Sequence, residues 1–130
     1  MTLFDNETLR DNVRFYLIEH FKESIINKYG PIENWNTSQV TDMSFLFYDA
    51  ENFNEDISNW DTSNVINMNS MFFNAIKFNQ NINKWNINKV QDTSFMFLDA
   101  KNFNQKLPSW DISKIKYKKE MFKNCRLSLT

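Results

Sequence analysis

The rarest side chains suited to nucleophilic or metal chemistry are His20 and Cys125, each the only residue of its type among 130. A catalytic thiol needs an activating base beside it. No Ser or Cys stands at a recognisable spacing from His20, and no base can be assigned to Cys125. Structural zinc is held by about four Cys or His ligands, more than the chain has. His20 therefore reads as a surface or capping histidine, and Cys125 as a small buried residue. Carboxylates offer another route. Asp61 and Asp111 alternate with Asn36 and Asn86 in one column of the sequence, and Asp49 and Asp99 with Asn74 and Asn124 in another. Stacked Asp side chains would repel one another or recruit Ca²⁺. Alternation with Asn removes the repulsion without a metal. A phosphate-binding loop needs several glycines, and Gly30 is the single one. The expectation is no catalytic residue, no metal and no cofactor, hence not an enzyme.

Net charge is −1, which argues against a general nucleic-acid binder. Aromatic residues make up 16% of the chain, with 13 Phe, enough for a substantial core. With one Gly and two Pro, the turns must be made by other residues, and Asn best tolerates left-handed backbone. No run of apolar residues is long enough to span a membrane. The start, MTLFDNETLR, lacks the basic segment and apolar run of a signal peptide. An intracellular location, or one inside a virion or other assembly, is expected over secretion. The sequons Asn6-Glu7-Thr8 and Asn36-Thr37-Ser38 are then expected to stay unused.

The elements that must position these groups are set by a repeat. Trp35, Trp60, Trp85 and Trp110 are evenly spaced by 25 residues. Other columns keep that period: Ile32, Ile57, Ile82 and Leu107; Val40, Val65, Val90 and Ile115; Phe47, Phe72, Phe97 and Phe122; Ala50, Ala75, Ala100 and Cys125. Such a unit cannot bury its apolar side alone and must stack on its neighbours. Met68, Met71, Phe72 and Ala75 are spaced i, i+3, i+4, i+7, which predicts a two-turn helix with Asn67, and likewise Asp42 and Asp92, as N-caps. Strand-like segments are predicted near Ile57 and Val65. Asn54, Asn79 and Asn104 should form a ladder satisfying backbone groups in a buried turn. Leu9, Val13, Leu17, Phe21 and Ile25 recur at four-residue steps, predicting one amphipathic capping helix that ends at Gly30-Pro31. At the other end Lys118, Lys123 and Ser128 replace apolar residues, making a polar cap. The predicted fold class is a right-handed α/β solenoid. Residues 1–30 cap it, and residues 31–130 form four coils starting near 32, 57, 82 and 107, all in one domain.

WNTSQVTDMSFLFYDAENFNEDISNWDTSNVINMNSMFFNAIKFNQNI, with the columns above, resembles the BspA-like repeat surface proteins. These share the mycoplasma-lipoprotein type of repeat, W-D-(V/T)-S-x-V-x-x-M-x-x-M-F-x-x-A-x-x-F-N-x-x-I. The likeness covers residues 31–125. It implies a leucine-rich-repeat-like architecture used for adhesion and protein interaction, with no catalytic residues to carry over. Members occur in bacteria, protists and large DNA viruses. The abundance of Asn, Lys, Ile and Phe is what an AT-rich genome encodes.

Two surfaces follow. If Met43, Leu46, Phe47 and Ala50 face inward on a helix, Phe45 and Tyr48 point nearly the opposite way, at about 100° per residue. In later units the same places hold Phe73, Phe95 and Leu98. Phe45, Tyr48, Phe73, Phe95 and Leu98 are thus the expected partner-binding stripe, of a few hundred Å². Charge is also divided: residues 1–61 carry 12 acidic and 4 basic side chains, residues 62–130 carry 4 and 11. The basic end holds Lys114, Lys116, Lys118, Lys119, Lys123 and Arg126. The expected function is a protein–protein interaction module, an adaptor or structural component of a larger assembly, with homo-oligomers through the complementary ends as one form. The alternative is nucleic-acid or polyanion binding through the basic end.

Overall fold

The computed structural model describes residues 2–127, so Ser128 of the expected polar cap lies outside the described residues. Chain order is α1 (Asn6–Tyr16), α2 (Glu19–Tyr29), then the repeats, which contain single 3₁₀ turns at Ile32–Asn34 and Ile112–Lys114. The expected α/β, leucine-rich-repeat-like solenoid is not what forms. Both α-helices found among the described residues precede the repeats, and none of the predicted two-turn helices or strands is present in them. The repeats' β-type pairings are isolated parallel bridges, Asp42 to Asn67, Asn67 to Asp92 and Asp92 to Tyr117.

The physical reason lies in eight non-glycine residues with φ between 50° and 60°: Phe45, Asp49, Ser70, Asn74, Phe95, Asp99, Glu120 and Asn124. Each unit has two, four residues apart. A left-handed residue at that interval stops an α-helix and equally stops an extended strand. The chain instead runs through successive turns. Leu46, Tyr48 and Ala50 donate their N–H groups back three residues to Met43, Phe45 and Phe47, at 3.1–3.3 Å. The turns with Phe45 and Asp49 in third place have the positive φ of type II turns. Turns of this period bring Met43, Leu46, Phe47 and Ala50 inward much as a helix would, which is why helical spacing was legible without a helix.

The intervening N–H groups stitch the units together. Met43, Phe45, Phe47 and Asp49 donate to the carbonyls of Asn67, Asn69, Met71 and Phe73, and two further interfaces repeat the set, all twelve bonds at 2.8–3.0 Å. Backbone donors along this face are thereby satisfied in a chain almost without glycine. Inside, Phe47, Phe72, Phe97 and Phe122 stack at centroid distances of 5.5–5.6 Å. Phe53, Phe78 and Phe103 form a second column and lie within 4.0–4.2 Å of the first. The Trp column acts as a row of rivets: the Nε1 atoms of Trp60, Trp85 and Trp110 donate to the carbonyls of Ile32, Ile57 and Ile82 in the preceding unit, at 2.8, 3.0 and 3.2 Å.

The single expected capping helix is two helices. Four residues advance a helix by about 400°, so each four-residue step drifts about 40° from the buried face. Over Leu9 to Ile25 the stripe leaves that face, and the chain breaks at Leu17 and at Ile18, which is extended at φ −89°, ψ 113°. Leu9, Val13 and Tyr16 are buried; Leu17 and Phe21 are exposed. Asp5 caps α1 in a reciprocal box with Thr8. The cap then imitates a repeat unit. Asn6 Oδ1 accepts from Thr41 N at 2.8 Å, and Arg10 Nη1 donates to Ser44 O at 2.5 Å. Phe4 stacks on Trp35 at 4.8 Å.

Candidate interaction surface

The polar side chains singled out for chemistry are occupied in building turns. Asp61, Asn86 and Asp111 each accept at Oδ1 from the backbone N–H two residues on, at 2.9–3.2 Å, and Asn36 does the same to Ser38. Asp42, Asn67 and Asp92 repeat this with Ser44, Asn69 and Ser94, so they close Asx turns where helix N-caps were expected. Only one oxygen is needed, which is why Asp and Asn interchange down a column. In the other column Asn74 and Asn124 donate from Nδ2 to Asp49 and Asp99 at 2.9 and 3.0 Å. No group of three or more metal-ligating side chains occurs among the described residues. The Asn54 ladder exists but lies on the surface: Asn79 N and Asn104 N donate to the side-chain oxygens of Asn54 and Asn79 at 2.9 Å, so the buried turn expected there is corrected to an exposed one.

Hydrogen bonds from Ser63, first from its hydroxyl and then from its backbone N–H, hold the Asp61 carboxyl below the usual range. Ser113 does the same for Asp111, and Ser58 for Asp56. A carboxyl depressed in the folded state contributes stability above its unfolded pKa and loses it as pH falls through the folded value. Stability should therefore decline on acidification through and below the ordinary carboxylate value of 3.8. Ser63→Ala should raise the Asp61 titration toward that value in an NMR pH series, because it removes the hydroxyl bond and keeps the backbone one; an unmoved titration would contradict the hydroxyl's part in holding the carboxyl down. Cys125 is half-buried, not fully buried, with Sγ 3.1 Å from Phe122 O. Burial raises its thiol pKa, the opposite of what a nucleophile needs. His20 is exposed on α2. Burial, then the Glu55 carboxylate that accepts its hydrogen bond, pushes the Tyr16 hydroxyl up.

What remains are two surfaces. On the first, Phe45 and Tyr48 are 52% and 46% exposed, while Phe73, Phe95 and Leu98 are half-buried. Ring centroids are 5.7 Å apart for Phe45 and Tyr48 and 5.2 Å for Tyr48 and Phe73, so the stripe is continuous across the first two units. The structure extends it in a way sequence spacing missed. The junction of α1 and α2 exposes Phe15, Leu17 and Ile18. One groove is lined by Arg14, Leu17, Ile18, Tyr48 and Glu51, and an adjoining one by Arg10, Arg14, Leu17, Phe45 and Tyr48. The four-residue drift in α1 was the signal that could have placed Leu17 outside. On the second surface, Lys114, Lys116, Lys118, Lys119, Lys123 and Arg126 are all exposed on the last unit. Lys123 pairs with Glu120 at 3.5 Å, and Lys118 donates to Ile112 O at 3.1 Å.

Among the described residues no helix is long and apolar enough to cross a membrane. No curated protein and no solved structure matches the chain. The family model described as Mycoplasma protein of unknown function, DUF285, matches residues 15–128, from within α1 through the four repeat units. That match takes in most of the chain, with the turn-built ladder at its centre, and the protein belongs to the DUF285 family.

Proposed function

We propose that the chain is a non-catalytic protein–protein interaction module of the BspA-like kind, an adaptor or structural component of a larger assembly, binding through the aromatic stripe beside the helix junction. The observation that carries this reading is Phe45. It is held at φ 60° and is 52% exposed. Glycine or Asn suits left-handed backbone better, and a bulky residue there costs about 1–3 kcal/mol. Exposure means little core burial offsets that cost. Strain of this kind tends to be retained where it serves binding. Aromatic side chains are also favoured anchors at interfaces.

The test exploits this conflict. Phe45→Asn with Tyr48→Ser should keep or slightly raise the melting temperature, because Asn accepts the left-handed conformation. The same variant should lose cross-linked capture of the partner that the intact chain retains from its native source. Unfolding of the variant, or undiminished capture, would place the interface elsewhere. A second reading, nucleic-acid or polyanion binding, is favoured by the six exposed cations of the last unit. It expects a shift of a labelled oligonucleotide that weakens steeply with salt.

A further inference from the structure

We propose that the aromatic stripe takes a second copy of the chain, packed antiparallel about a two-fold axis that crosses the stripe at the second unit. This rests on the protein-interaction reading above and names the partner. What carries it is the order of charge along the stripe's border. Glu51, Ile76 and Lys101 stand at the same place in three consecutive units, 25 residues apart. Glu51 lines the groove shared by Tyr48, Leu17 and Ile18. Backbone bonds run along this border from unit to unit, Lys77 N to Glu51 O and Asn102 N to Ile76 O, each at 3.1 Å, which keeps the column in register with the stripe. Glu51 and Lys101 are exposed and take part in none of the ion pairs among the described residues, and Ile76 is half-buried. The border therefore runs acidic, apolar, basic.

That order complements itself only when reversed. A closed pair of identical chains needs a surface that fits itself, with residue i on residue j and j on i. Antiparallel packing about the second unit sets Glu51 of each copy against Lys101 of the other, and Ile76 against Ile76. Within the stripe it sets Phe45 against Phe95, Tyr48 against Leu98 and Phe73 against Phe73, apolar on apolar throughout. A parallel pair would oppose Glu51 to Glu51 and Lys101 to Lys101, and like charges set together disfavour a partner. A two-fold axis at the first unit would also oppose Glu51 to itself. Asp49 and Asp99, in the column between, are already held by the Asn74 and Asn124 amides at 2.9 and 3.0 Å. An apolar ligand would leave both border charges unanswered, and a partner of one sign would answer only one of them.

Sedimentation equilibrium of the intact chain should show a closed dimer that weakens at high salt and does not grow into larger species. Glu51→Lys and Lys101→Glu should each weaken self-association by about tenfold or more, since each sets like charges together at both ends of the contact. Both positions are exposed, so both variants should melt with the intact chain. Mixed, the two variants should pair with each other at least about tenfold more tightly than either pairs with itself, because the mixture restores both opposite-charge contacts. Phe45→Asn with Tyr48→Ser should leave a monomer. A monomeric intact chain, a dimer indifferent to Phe45→Asn with Tyr48→Ser, or a mixture no tighter than its components would overturn the proposal. If the chain is monomeric and capture of a different protein still depends on Phe45 and Tyr48, the interaction reading stands and only the self-pairing falls.

Discussion

Phe72→Ala is expected to destabilise the protein by about 3–5 kcal/mol, the range for truncation of a fully buried Phe. Phe72 has no exposed surface. Its ring lies 5.5 Å from Phe47, 4.0 Å from Phe78 and 5.6 Å from Phe97, so one side chain joins three consecutive units. The stack leaves little room for collapse, because each unit is pinned to the next by at least four backbone bonds. A cavity at the middle of the ladder should also lower cooperativity, since each unit is stabilised chiefly by its neighbours. Urea melts followed by Trp fluorescence will report both. A loss below about 1 kcal/mol would mean that the aromatic column does not hold the units together.

Asn74→Val should cost about 1–3 kcal/mol, while Asn74→Gly should cost far less. Asn74 is held at φ 57°, and its N–H donates to Leu98 O at 2.8 Å. A β-branched residue is a genuine outlier in that conformation, whereas Gly enters it freely. Asn74→Ala is the decisive member of the series. A helix would be stabilised by Ala and weakened by Gly, by close to 1 kcal/mol between the two. The turn-built unit reverses that order, with Gly above Ala. Each variant also loses the surface hydrogen bond from Asn74 Nδ2 to Asp49, which shifts all three together and leaves the ranking intact. Thermal melts that rank Ala above Gly would restore the helical reading.

The period of 25 and the inward columns were determined by the sequence alone. Stacking demands the same residue at the same place in every unit, so Trp60, Val65 and Phe72 could be named as core, and all three are buried. Charge division was legible too, because it needs no coordinates. The local backbone was not. Met68, Met71, Phe72 and Ala75 suit one face of a helix and equally the inner side of successive turns, and periodicity cannot separate the two. Only the tertiary structure decided it. The ladder to the following unit takes every second N–H, and that requirement holds Ser70 and Phe95 in left-handed backbone that their isolated preferences disfavour. The exposed Phe45 and Tyr48 were placed correctly by a helix that does not form, because both geometries turn these positions outward. Their continuity with Leu17 and Ile18 depended on where the N-terminal segment breaks. That break is set by packing against Trp35 and the first unit, a contact between residues far apart in the chain.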